Sequence, residues 1–481
     1  MFPNRQSELV NSKQGNFLPA EKVDSLLHMI EMKYELLDYQ VEGWCVWPIL
    51  RFEVGCQLEN IPLTKRDNTS LLKTFLLTAP SIKSFVFPHP VRHVVKTYTS
   101  GLVEREGIFY KDIWFDDLLK EIGDYMKIEA INNPSFISRR KAALIKSNLT
   151  TNFLDISGGI LTRMSCPKDI SQIARRLSEI LNQELKLDFF TSRRVEIRLK
   201  NFYWRKKIYS YLLRRVHSKY LLTADPGEHA LAAAAKEQGI RVVELQHGLI
   251  NKHHYAYSWQ ANAVNYKNRM PIPDRLFLHG EYSKQELDAN GFWGKALCVV
   301  GSSRMDHYRQ RKIPEKREGV PAVVLTTQGI DVENTVQFMA AFLKASKGRL
   351  EFRLYIKLHP VYETDKTPYE AAFKADPRVE ILMGMEEPST FDLLARADFH
   401  LSISSTCHFD ALGLGVPSVI LPLTTYENVL FLCEAGHAFL ARTPKDLVDI
   451  MTNRRSYKVP PEIREYYFKN GALENMKREL C

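Results

Sequence analysis

The chain has 481 residues, too long for one compact core and suited to two or three domains. With 45% hydrophobic and 25% charged residues the composition is ordinary for a globular protein, and no internal repeat or low-complexity segment is visible. The net charge of +10 favours an anionic partner: a phosphorylated substrate, nucleic acid or acidic headgroups. Seven scattered cysteines without CxxC spacing read as free thiols of a reducing cytoplasm. The polar start MFPNRQSELVNSKQGN reads as lacking a signal peptide, and no apolar run nears the roughly 20 residues of a membrane span.

In chain order, Glu21 to Leu37 has helical character, and GWCVWPILRFEV (Gly43 to Val54) reads as a core anchor carrying a paired arginine, Arg51. Gly107 to Leu119 suggests a strand or hairpin entering a helix. Ile170 to Leu187 places apolar residues at helical spacing. Arg193 to Lys219 holds ten Lys/Arg against one Glu, interleaved with Phe202, Tyr203, Trp204, Tyr209 and Tyr211. Such a segment suits an anionic membrane surface, with rings at the interface and cations on headgroups; the competing expectation is a helix whose aromatic side packs inward. Nucleic acid is not the expected partner.

Alternation becomes clear from Tyr220. Tyr220 to Ala224 and Arg241 to Leu245 read as parallel strands joined by a helix from Glu228 to Gln238, a βαβ unit. A second series runs through DRLFLHG, a helix capped by Ser283, KALCVVG, GVPAVVLTTQ, FRLYIKLHP, VEIL, FHLSIS and SVILPL. The expected fold is α/β, with two Rossmann-like doubly wound domains facing a cleft. The expected bounds are 1–265 for the first domain (1–200 unassigned, 220–265 the βαβ unit), 266–445 for the second, and 446–481 for a helical tail.

Ligands of parallel sheets sit at the carboxyl ends of strands, so polar residues there are the candidates. Asp225 follows the first strand of the βαβ unit and either caps the next helix or faces the cleft; Glu228 lies one turn on. Gln246, His247 and Gly248 follow the next strand, and a histidine suits proton abstraction near neutral pH. His253 is an acceptor-side candidate. Lys357 and His359 share one side of a strand end and are able to neutralise a phosphate. Gln328 ends GVPAVVLTTQ. Ser404, Ser405 and Thr406 run into a helix start, where N–H groups bind phosphate, and Asp410 one turn on is placed to reach ribose hydroxyls.

Lys357-Leu358-His359-Pro360, followed by Ser404-Ser405-Thr406, Asp410-Ala411 and Gly415-Val416-Pro417, resembles the donor half of GT-B glycosyltransferases. It is similar to the branch that makes bacterial surface polysaccharides: capsule Kdo transferases, polysialyltransferases and CDP-glycerol glycerophosphotransferases. Gln246-His247-Gly248 is similar to the histidine-glycine element of that branch, in which the histidine lies at the reaction centre. The resemblance spans about Tyr220 to Leu440. It implies a CMP- or UDP-linked sugar donor, with phosphate near His359, Ser405 and Thr406, and a lipid-linked or polymeric glycan acceptor. It also implies a role in capsule or O-antigen synthesis, and the basic aromatic segment Arg193 to Lys219 leads to the expectation of a cytoplasmic enzyme, peripheral on the inner face of the plasma membrane. His247 or Asp225 is expected to be the base. No DxD-like pair or His/Cys pattern calls for a metal, and no cofactor is expected. The alternatives are a glycerophosphotransferase, a sugar-nucleotide epimerase of the same fold, and a non-catalytic glycan-binding protein.

Overall fold

The computed structural model describes residues 18–59, 82–131, 137–152, 166–311, 320–360, 362–384 and 388–480. The segment read as lacking a signal peptide lies outside them, as does Cys481.

Two parallel sheets organise the chain. The first contains β1 (His93–Tyr98), β2 (Tyr125–Ala130), β3 (Leu149–Thr150), β4 (Tyr220–Thr223), β5 (Arg241–Leu245), β6 (Arg275–Leu278) and β7 (Leu297–Val299), in the order β3-β2-β1-β4-β5-β6-β7. The second contains β8 (Ala322–Thr326), β9 (Arg353–Lys357), β10 (Val379–Leu382), β11 (Phe399–Ser402), β12 (Ser418–Ile420) and β13 (Phe439–Leu440), in the order β10-β9-β8-β11-β12-β13. Every pairing within both sheets is parallel. Strand order reverses beside β1 in one sheet and beside β8 in the other. A crevice therefore opens at the carboxyl ends of β1 and β4, and another at those of β8 and β11.

The first sheet takes more of the chain than the sequence suggested. β6 and β7 were expected in the second domain, yet Arg275 pairs with Val243 of β5, and Leu276 with Leu297 of β7. The alternation of strand and helix has the same period on both sides of the crossing, so it does not reveal which sheet a strand joins.

The chain returns at its end. The helix Pro461–Tyr467 packs against the second domain near Phe409 and Leu412, while the last helix, Ala472–Leu480, buries Ala472, Met476 and Leu480 with Val95, Leu222, Val243 and Phe277 of the first sheet. Two glycines permit this seating. A Cβ on Gly280 would lie 2.3 Å from the Tyr466 carbonyl oxygen, and one on Gly301, whose φ is +98°, would lie 2.2 Å from that of Lys469. Tyr467 and Phe468 are thereby pressed against the ends of β6 and β7.

The basic aromatic segment forms the helix Ser192–Val216, in which Tyr203, Trp204 and Tyr211 are half-buried and two rings enter the core. Phe202 and Tyr209 are buried with Leu212, Leu213 and Leu231. Lys206 is buried between Glu42, at 2.8 Å, and Glu237. Arg194 and Arg198 both pair with Glu53, at 3.1 and 2.7 Å. The expectation of rings lying at a lipid interface is corrected for these side chains: their apolar area is spent on the core. Arg51 is the paired core arginine. It is fully buried, stacked 4.5 Å over Trp259, and bonded to Glu31, Asp24 and Ser258. Among the described residues no helix is long and apolar enough to cross a membrane.

Candidate functional site

A cleft lies between the domains where strand ends from both sheets meet. The first domain supplies Gln246, His247 and Gly248 after β5, His279 after β6, and Ser302 and Arg304 after β7; the second supplies Phe391, Thr406, Phe409 and Asp410. Tyr467 and Phe468 close one side, with Phe468 stacked on His279 at 5.1 Å.

His247 is solvent-accessible inside this cleft. Its position is fixed by the residue before it. Gln246 is buried and fully engaged: its amide donates to the Gly248 carbonyl at 2.8 Å and to Ser283 at 3.1 Å, and its carbonyl accepts the His279 N–H at 2.8 Å. Gln246, an acceptor-side candidate of the sequence, thus braces the loop while lining the cleft. Ser283 serves this brace from within the helix Glu281–Asp288, which Gly280 and not Ser283 begins. Surrounding protein lowers the His247 pKa, and the charge of Asp225 partly restores it.

Asp225 does not cap the helix His229–Glu237; Glu228 holds the cap position and makes no side-chain cap bond. Asp225 instead accepts the Gly227 N–H at 2.6 Å and closes a turn. Around it, at the first-domain crevice, is a polar cluster. Burial raises the Glu228 pKa, but Lys96 at 3.2 Å, Arg205 and the Tyr98 hydroxyl outweigh it and hold the carboxylate at about 2. Glu244, on β5, goes the other way. It is buried; burial and then Asp225 raise its pKa to about 8, although the Tyr257 hydroxyl donates to it. Lys96, Tyr98, Glu244 and Tyr257 were not picked out from sequence. The signal was there in Lys96 and Glu244, charged residues inside apolar strands.

His253 is drawn away from the cleft into the Arg51 network, 3.3 Å from Asp24. His254, beside it, lies closer to the site: burial and then His247 lower its pKa to about 3.

In the second domain the loops after β8, β9, β11 and β12 tie together. The Ser404 N–H donates to Gln328 at 2.9 Å, and the Ser404 and Thr425 hydroxyls lie 2.8 Å apart. The Gly329 N–H donates to Glu363 at 2.9 Å, which joins the Gln328 loop to the loop carrying His359. His359 is half-buried, stacked on Tyr362, and accepts the Tyr362 N–H through Nδ1 at 3.0 Å, so Nε2 is its protonated nitrogen; burial lowers its pKa. The Ser405 hydroxyl accepts the Cys407 N–H at 3.2 Å, and Thr406 stands exposed at the start of the helix Cys407–Leu414. Beneath the loop, His400 and His408 share Ser418, at 2.8 and 2.7 Å.

Lys357 and Asp410 sit elsewhere than expected. Lys357 is buried and donates to the carbonyls of Met383 and Pro388, at 2.8 and 3.0 Å. Asp410 faces the interdomain cleft opposite Arg304; burial raises it to about 6, against the pull of that arginine. Arg304 itself was missed. Its signal was an arginine in the first helical turn after the strand end KALCVVGSS. Among the described residues no group of three or more His, Cys, Asp or Glu is arranged to hold a metal ion.

No protein-family model matches the chain, and no curated protein matches it. Solved structures do. The UDP-GlcNAc 2-epimerase from Neisseria meningitidis, bound to UDP-GlcNAc, is 15% identical, with a TM-score of 0.50 over 81% of this chain and 99% of that one. A second UDP-N-acetylglucosamine 2-epimerase is 15% identical with a TM-score of 0.51, over 82% and 95%. MurG of Acinetobacter baumannii is 10% identical with a TM-score of 0.45, over 81% and 99%. With the sheet orders above, the likeness establishes the fold: two Rossmann-like domains of the GT-B type facing a cleft.

Proposed function

We propose that this protein is a glycosyltransferase that moves a sugar from a CMP- or UDP-linked donor to a growing cell-surface glycan. The observation that carries the reading is His247: an accessible imidazole at a strand end, inside a cleft that the Thr406 end of the second-domain serine loop also lines. In this reaction the acceptor hydroxyl gives its proton to His247 as its oxygen bonds to the anomeric carbon. The bond from that carbon to the nucleotide phosphate breaks. The phosphate departs toward Ser405, Thr406 and the N–H groups of the helix start, where developing negative charge is stabilised. Gln328, Ser404 and His359, linked through their loops, hold the remainder of the nucleotide. The acceptor is a lipid-linked or polymeric glycan of the capsule or O-antigen kind. Exposed Arg193, Arg214, Arg215 and Lys219 supply an electrostatic hold on an anionic membrane surface, on its cytoplasmic side.

A second reading, a sugar-nucleotide epimerase, is favoured by a specific observation. Asp225, Glu228 and Glu244 gather acidic side chains at the first-domain crevice, where proton abstraction from a sugar carbon would need them. The two solved structures with TM-scores of 0.50 and 0.51 are titled as epimerases of that class.

One assay separates these readings. The protein is incubated in D2O with UDP-sugars, CMP-sugars and CDP-glycerol, with and without lipid-linked glycan. Nucleotide release that requires the glycan supports transfer, and CDP-glycerol as the sole donor makes the group a glycerophosphate. Deuterium entering the sugar ring without glycan supports epimerisation. Nucleotide binding with no turnover of any donor overturns both.

A further inference from the structure

The cleft needs a cation for the donor's phosphate, and Lys357 is committed to two carbonyls. Arg304 stands at the end of β7, in the first turn of the helix Ser303–Gln310. Its Nε donates to Glu104, on the hairpin that follows β1, and its guanidinium lies 3.7 Å over the Phe391 ring of the second domain. The side chain is therefore held from both domains and only 21% exposed. Its two terminal amino groups have no hydrogen-bond partner among the described residues, and the side chain lines the same cleft as His247, Thr406 and Asp410. A guanidinium fixed at Nε, with both Nη groups unbonded and its side chain lining a cleft, offers the fork that binds phosphate oxygens in pairs.

We propose that Arg304 is the phosphate-binding cation of the donor site, closing on the nucleotide's phosphate from the first domain while Thr406 meets it from the second. The proposal rests on the nucleotide-donor reading above. Asp410 is the counter-charge that a bound phosphate replaces. Burial already brings this carboxyl to about 6 despite Arg304, so it readily takes up a proton and donates to a phosphate oxygen. The Arg304–Glu104 link also brings the hairpin of the first domain to the phosphate, so donor binding draws on both halves of the cleft.

The test compares wild type with Arg304→Gln and Arg304→Lys by titration calorimetry against UDP, CMP, uridine, cytidine and inorganic pyrophosphate. Arg304→Gln is expected to weaken the nucleotide that wild type binds by about 10- to 100-fold and to leave the matching nucleoside unchanged. Arg304→Lys, which keeps charge without the fork, is expected to fall between. Equal loss for nucleotide and nucleoside, or no loss for either, overturns the assignment. Pyrophosphate separates this failure from that of the functional reading. If pyrophosphate binding depends on Arg304 while no nucleotide sugar is turned over, the anion site stands and the donor reading fails. If nucleotide sugar is turned over and Arg304→Gln keeps the wild-type KM, the donor reading stands and the site fails. Should the variants not fold, phenylglyoxal labelling of wild type serves instead. Pyrophosphate is expected to slow modification of Arg304, and an unchanged rate overturns the proposal.

Discussion

Replacing Glu244 with Gln tests the electrostatics under the first-domain crevice. Glu244 is 1% exposed; one of its oxygens accepts from Tyr257 and the other has no hydrogen-bond partner among the described residues. Burial first, then Asp225, lifts its pKa from 4.5 to about 8. The folded state therefore keeps this proton across a range in which the unfolded chain has released it. Stability from this group is full below about pH 4.5, declines as pH rises, and falls no further above about pH 8. At ~1.4 kcal/mol per pH unit, the wild type loses at most ~5 kcal/mol across that window. Glutamine keeps the acceptor for Tyr257 and has no proton to lose. Urea unfolding followed by tryptophan fluorescence is suited to the measurement, because Trp293 donates to the Tyr257 carbonyl at 2.8 Å. Variant and wild type should match near pH 5, and the variant should be more stable by a few kcal/mol at pH 9. A difference that stays flat from pH 5 to 9 refutes the reasoning. The electrostatic consequence is that near neutral pH Glu244 adds little negative charge beside Asp225.

Further outcomes follow from the same geometry. His247→Ala should lower turnover by about 10²–10⁴ while nucleotide affinity is kept, and near-wild-type turnover would make the histidine structural. The protein walls of the cleft hold the His247 pKa below its ordinary value, so the acid limb of kcat/KM should fall below pH 6.5; Asp225→Asn, which removes the opposing charge, should move it lower still. Lys357→Met leaves the Met383 and Pro388 carbonyls without their donor and should destabilise the protein by about 1–3 kcal/mol per carbonyl, with nucleotide affinity retained in the folded fraction; a selective loss of affinity would return Lys357 to the phosphate. Sedimentation with anionic vesicles should decline steeply with salt, because the exposed cations of the helix Ser192–Val216 act without the buried rings of Phe202 and Tyr209; salt-insensitive binding would contradict this.

The alternation of apolar strand and amphipathic helix was legible because it is local. Tyr220–Thr223, Arg241–Leu245 and Arg353–Lys357 are read directly from runs of buried residues and the polar punctuation after them. Sheet membership is not local. β6 and β7 carry the same pattern as strands of the second sheet, and only the hydrogen bonding of β6 to β5, and of β7 to β6, assigns them. The basic helix shows the same limit. Its composition fits a membrane surface or a protein core equally well; Glu42 and Glu237, both distant in sequence, draw Lys206 into the core, while Arg194 and Arg198 stay partly exposed on Glu53.

Site residues were legible as positions and not as roles. Period two put Lys357 and His359 at one strand end, and both are there, yet the period does not say where an ammonium group finishes. The Lys357 ammonium turns to carbonyls on the segment after β10, because a buried cation needs oxygen partners and Met383 and Pro388 are within reach. Arg304 escapes that fate for a physical reason. Its Nε is satisfied by Glu104 and its face by Phe391, so the fork has no need to fold back onto the backbone, and the side chain lines the cleft. Both partners belong to segments remote from residue 304, one in each domain, so no local reading of GSSRMDHY distinguishes this arginine from a solvated one. The residue that pairs with a cation, more than the cation itself, decides whether that cation serves the fold or the ligand.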